Sequence, residues 1–160
     1  MATDIIDKQK TIKIDRRAVR RLVKRILAEH SRDDCDLSVV FADDAFVREL
    51  NLAYRKVDRA TDVLAFAMRD VVPIAEWKAI DGPENVLGDV VISVDRARVQ
   101  ARRYRRTVDH EILKLVAHGV LHLLGFDHER TEDRREMRRL ENRYARAALR
   151  SGGTKRRMST

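Results

Sequence analysis

Cysteine occurs once, proline twice and glycine six times among the 160 residues, and aromatic residues make up 5% of the chain. A lone Cys35 excludes an intrachain disulfide and a thiolate-rich metal site, since both need a second cysteine. Scarce glycine and proline, set beside 44% hydrophobic residues, are those of one globular domain able to bury a real core. No apolar run approaches the roughly 18 uninterrupted residues of a membrane span. The first fifteen residues, MATDIIDKQKTIKID, carry charges throughout. No membrane partner is therefore expected, and a cytoplasmic location is the default.

Charge of one sign is in surplus. Lys and Arg number 34 against 26 Asp and Glu, for a formal charge of +8. Charged residues are 38% of the chain, but the two signs are interspersed along periodic segments, which argues against a disordered polyelectrolyte. The basic surplus attracts polyanions at long range, with nucleic acid first and acidic membrane surfaces as the competing explanation. Oligomeric state is not legible from composition.

Along the chain, Ile12–Ile14 alternates like a short edge strand, and Asp15 stands where an N-cap would. From Arg16 to His30, Val19, Leu22, Val23, Ile26 and Leu27 fall at helical spacing, with a basic opposite side. Asp36–Ala42 (DLSVVFA) has the β-branched content of a buried strand, and Asp43 and Asp44 then open a helix through Phe46, Val47, Leu50 and Tyr54. Strands are expected at Asp62–Met68 and Leu87–Ser93, separated by the long loop VVPIAEWKAIDGPEN, which holds both prolines. An Arg-rich helix follows through Ala97, Ala101 and Tyr104. The helix Val108–Leu124 is apolar on nearly every side and must be central; the last, Glu132–Leu149, shows the stripe Met137, Leu140, Tyr144 and Ala147. The expectation is an α+β (α/β-like) fold: a single domain over residues 1–150, with a small mixed sheet of about four strands packed with about five helices, and a disordered tail over 151–160.

Three of the five histidines lie in HGVLHLLGFDH. His118 and His122 are four apart, so both imidazoles project from one face of the central helix. Gly125 can end that helix in a left-handed conformation and turn the chain so that His128 joins them. Neutral imidazole is a common zinc ligand, and three protein ligands around a tetrahedral ion leave one place for water. The prediction is one Zn2+ per chain at a site open to chemistry; zinc lowers the pKa of bound water from roughly 15.7 to about 7 and polarises phosphoryl or carbonyl oxygens. Nickel, copper and iron also accept imidazole. The alternative, satisfied core histidines, would bury three polar rings whose unpartnered nitrogens cost about 1–3 kcal/mol each.

The pattern H-x-x-x-H-x-x-G-x-x-H shares the ligand spacing of metzincin proteases, which place a glutamate general base beside the first histidine. Here that residue is Gly119, so a metallopeptidase reading loses its base. Asp109, Glu111, Asp127 and Glu129 are candidates to orient a ligand's second nitrogen. Spacing assigns none of them: for Glu111 a salt bridge to an arginine is an equally good account, and Asp127 suits the turn after Gly125.

Three blocks, NLAYRKVDRATDVLAFAM from Asn51, LGDVVIS from Leu87 and HEILKLVAHGVLHLLGFDHE from His110, give the chain a resemblance to the YbeY family of bacterial endoribonucleases. The likeness runs from about Asp36 to Glu129 and is most specific in the third block. It implies that His118, His122 and His128 hold the metal and that Arg55, in the Tyr-Arg pair of the first block, contacts RNA or supports catalysis. A guanidinium suits that role because its planar fork grips phosphate; without the resemblance, Arg55 reads as a structural salt bridge. The implied function is a single-strand-specific, zinc-dependent endoribonuclease in ribosomal RNA processing (16S rRNA 3′ end maturation) and ribosome quality control, with RNA, as rRNA or a ribosomal subunit, for partner. Either water or the ribose 2′-hydroxyl can be the nucleophile. The competing class is a ribosome-associated assembly factor with mainly structural zinc. Departures from the family pattern are Ala65 for serine, Ala67 for proline and Phe126 for tyrosine.

Overall fold

The computed structural model describes residues 3–68, 86–126 and 131–158, with side chains over 3–68, 86–126 and 132–150. Strand β1 (Thr3–Asp7) pairs in parallel with β2 (Asp36–Ala42), Thr3 opposite Leu37 and Asp7 opposite Phe41. The first strand is thus not at Ile12–Ile14. There the Gln9 side chain takes the backbone groups that a ladder would have used: its Oε1 accepts from the amides of Thr11 (2.9 Å) and Ile12 (3.0 Å), and its Nε2 donates to the Ile12 carbonyl (2.9 Å). The alternating isoleucines still serve the core, since Ile14 is buried.

Helix α1 (Arg16–Glu29) begins where expected, Asp15 accepting from the Ala18 amide, and buries Ala18, Val19, Leu22, Val23, Ile26 and Leu27. Helix α2 (Asp44–Arg55) is capped by Asp43 and ends at Lys56 in a left-handed conformation. Strands β3 (Val63–Ala67) and β4 (Val86–Ser93) complete a mixed sheet of order β1-β2-β4-β3, in which only β3 runs antiparallel. Helices α3 (Val94–Arg103), α4 (Val108–Leu123) and α5 (Thr131–Met158) follow. Among the described residues the architecture is α+β, four strands with five helices. The long loop expected at residues 71–85 lies outside the described residues.

The strands alternate between two cores, as a period of two requires. One face sends Leu37, Val39, Phe41, Val90 and Ile92 toward α1, α4 and α5; the other sends Ala42, Leu64 and Val91 toward Val47 and Phe46 of α2. Helix α4 sits centrally, packed on β3 and β4 with α1, α3 and α5 around it. Two glycines permit close approach. A Cβ on Gly119 would stand 2.4 Å from Val90 Cγ1, so α4 lies directly on β4 there; Gly88, at φ 140°, would put a Cβ 2.0 Å from the Phe66 carbonyl oxygen. Helix α5 buries Met137, Tyr144, Ala145 and Ala148, and its Tyr144 hydroxyl donates to Glu29 of α1. Its backbone stays helical to Met158, into the segment expected to be a disordered tail, because extending an existing helix is far easier than nucleating one. Among the described residues, no helix is long and apolar enough to cross a membrane.

A histidine stripe as candidate metal centre

Helix α4 is an apolar helix with one open line. From Ile112 to Leu123 every residue is buried except Lys114, His118 and His122, which follow one another at four-residue steps and are half-buried. Four-residue spacing stacks side chains along one face, so the two imidazoles meet with ring centroids 4.6 Å apart. His118 is 26% exposed at its side chain, enough to be reached from solvent.

The helix end was legible in advance. Gly125 has φ 96°, its amide donates to the His122 carbonyl (3.0 Å), and the Phe126 amide donates to the Leu121 carbonyl (3.0 Å). That pair of bonds is the Schellman motif, which reverses the chain directly after His122. His128, Asp127 and Glu129 lie outside the described residues. Among the described residues, no third side chain of ligating type completes a metal site with His118 and His122.

The partner of His118 comes from another helix. Its Nδ1 lies 2.5 Å from Oε1 of Glu141 on α5, a carboxylate only 4% exposed. A carboxylate at Nδ1 is the arrangement by which metal-bound histidines are commonly oriented, with Nε2 as the ligating nitrogen. The donor chemistry therefore fits a zinc ion: two adjacent imidazoles, one of them held by a carboxylate. Glu141 escaped the sequence analysis, although a signal existed. It stands between Met137 and Tyr144 on the buried stripe of α5, and a carboxylate at such a position demands a partner. Glu111, one of the carboxylates considered, is instead fully buried beside Arg106, with Nη1 to Oε1 at 3.4 Å, which is the salt-bridge alternative.

Arg55 reaches the sheet from the opposite side. It is the last residue of α2; its Nη2 donates to the Ala65 carbonyl at 3.0 Å and its guanidinium lies 5.7 Å from the Phe66 ring centroid. The guanidinium is thus docked on the edge strand β3, against which α4 packs from the other face. Position 119 cannot house the glutamate of a peptidase, because even its first carbon would collide with Val90.

The family profile described as Endoribonuclease YbeY matches residues 4–148. Endoribonuclease YbeY of Pelotomaculum thermopropionicum is 45% identical over 125 residues, 78% of each chain. That of an Anaeromyxobacter species is 45% identical over 154 residues, covering 91% of this chain and 76% of its own. A Thermotoga maritima protein known from its solution structure superposes with a TM-score of 0.63 over 96% of this chain and 93% of its own; at 24% identity it speaks for the fold alone. On these matches, the chain belongs to the endoribonuclease YbeY family.

Proposed function

We propose that this protein is a zinc-dependent endoribonuclease that cuts single-stranded RNA, with His118, His122 and His128 holding one zinc ion and Arg55 gripping phosphate. The observation that carries the reading is the open stripe of α4, with two imidazoles 4.6 Å apart and Glu141 behind the first. Family membership supports RNA as the substrate. The setting in ribosomal RNA, at the 3′ end of the 16S species and in ribosome quality control, and the cytoplasmic location are part of the same proposal.

Bound zinc supplies Lewis acidity at the scissile phosphate. The chain's own residues do the rest. Glu141 holds the His118 ring through Nδ1, as an outer carboxylate orients a metal-ligating histidine. The Ala65 carbonyl occupies one donor of Arg55, and its remaining N–H groups are left to bind phosphate oxygens. The surplus of basic side chains draws the polyanion in and makes binding fall with salt.

Elemental analysis of the purified protein, followed by RNA cleavage with and without chelator, tests the reading. Zinc near one equivalent and chelator-sensitive cleavage are expected. A folded, metal-free His118→Ala protein that cut RNA as fast as wild type would overturn it. End-group analysis then names the nucleophile: a cyclic phosphate product identifies the ribose 2′-hydroxyl, and an open phosphate formed without a cyclic intermediate identifies water.

A further inference from the structure

The stripe of α4 leads away from the histidines to an exposed aromatic ring. One turn before His118 stands Lys114, whose ammonium lies 5.9 Å from the Tyr104 ring centroid. Arg103 and Arg106 approach the same ring to 5.7 and 5.9 Å. Tyr104 is nevertheless 53% exposed. Its position is set by the backbone. The α3 helix ends at Tyr104 in a second Schellman turn, the Arg106 amide donating to Ala101 (2.9 Å) and Arg105 held at φ 52°, a left-handed conformation unfavourable for a residue with a side chain.

Tyr104 and His118 line one cleft of about 380 Å³, within the roughly 300–1,000 Å³ of small-ligand sites. Its lining includes the buried apolar side chains Leu115 and Met137, and Lys114, Arg134 and Arg138 contribute positive charge. The two carboxylates of the lining are already engaged. Asp62 accepts from Gln100 Nε2 (3.1 Å) and the Val63 amide (2.8 Å), and Glu141 holds His118. An apolar floor, an aromatic face and a cationic rim together suit a flat, uncharged ring joined to an anion.

We infer that this cleft is a nucleotide subsite: Tyr104 stacks on one unpaired base of the RNA, and Lys114 and Arg138 hold the adjoining phosphate, beside the bond to be cut. The inference rests on the endoribonuclease reading above and gives it a physical source of single-strand preference. In a duplex both faces of a base are covered by its neighbours, so only an unpaired base can lie on Tyr104.

The test is equilibrium binding of the zinc-loaded full chain to a fluorescein-labelled single-stranded oligoribonucleotide and to the same strand in a duplex. Tyr104→Ala should weaken single-strand binding by roughly five- to hundred-fold, the range for losing one base-stacking partner, whereas Tyr104→Phe should retain it. Lys114→Gln should lower the slope of log K against log salt by about 0.7, one phosphate contact on a single strand. An oligonucleotide series carrying one abasic site at successive positions adds a coupling measurement. At one position the abasic site should cost wild type affinity and cost Tyr104→Ala almost nothing. If Tyr104→Ala binds and cuts as wild type does, the subsite is refuted while the endoribonuclease reading stands. If wild type neither binds nor cuts RNA, both fall.

Discussion

Replacing Glu141 separates its effect on metal binding from its effect on packing. Glu141→Gln keeps the side-chain volume and an oxygen that can accept from His118 Nδ1, but removes the charge behind a 2.5 Å contact. A hydrogen bond to a charged group contributes about 1.5–3 kcal/mol and a neutral one about 0.5–1.5, so the exchange loses about 1 kcal/mol, roughly five-fold in zinc affinity. Glu141→Ala removes the acceptor altogether and should lose about 10–100-fold, the usual cost of deleting such an outer partner. Competition against a chromophoric chelator measures both, and melting of the metal-free proteins supplies the control. Glu141 is 4% exposed, so the alanine variant will also melt lower without metal, by an amount unrelated to zinc. The graded order wild type, Gln, Ala in zinc affinity is the expected result. Equal affinities in all three, with only the metal-free melting temperatures moved, would refute the positioning role of Glu141.

Gly119→Ala forces a carbon to within 2.4 Å of the stiff Val90 side chain and should cost about 1–3 kcal/mol, a Tm loss of about 2–12 °C by calorimetry; a neutral result would mean that α4 can lift off β4. Burial, and then donation to Glu29, push Tyr144 up to about 12. Its neutral form is favoured by the fold, so that stability is fully present below the free tyrosine value of about 10 and is lost as pH rises through about 12. Urea midpoints over that window should fall steeply for wild type and less for Tyr144→Phe. Arg55→Lys keeps the charge but loses the fork that bonds Ala65, and should slow RNA cleavage at least about tenfold, the worth of one charge-assisted hydrogen bond, with zinc content unchanged.

Much of the fold follows from periodicity. The apolar spacing of α1, the β-branched run of β2 and the all-round hydrophobicity of α4 each reflect burial that one segment needs whatever its neighbours are, and each element lies where its pattern sets it. So did the pairing of His118 with His122 and the turn at Gly125, because both depend on contacts within about one helical turn. The first strand was misplaced since the side chain of Gln9, rather than a neighbouring strand, satisfies the Thr11 and Ile12 amides. Long-range partners are of a different kind. That His118 is held by a residue 23 positions later, that Arg55 docks on β3, and that Tyr104 shares a cleft with His118 depend on how helices pack across the sheet and each other. Periodicity records which face of each segment is buried; it carries no record of which other segment covers it, and here that choice, made by packing alone, supplied the partner of the first histidine.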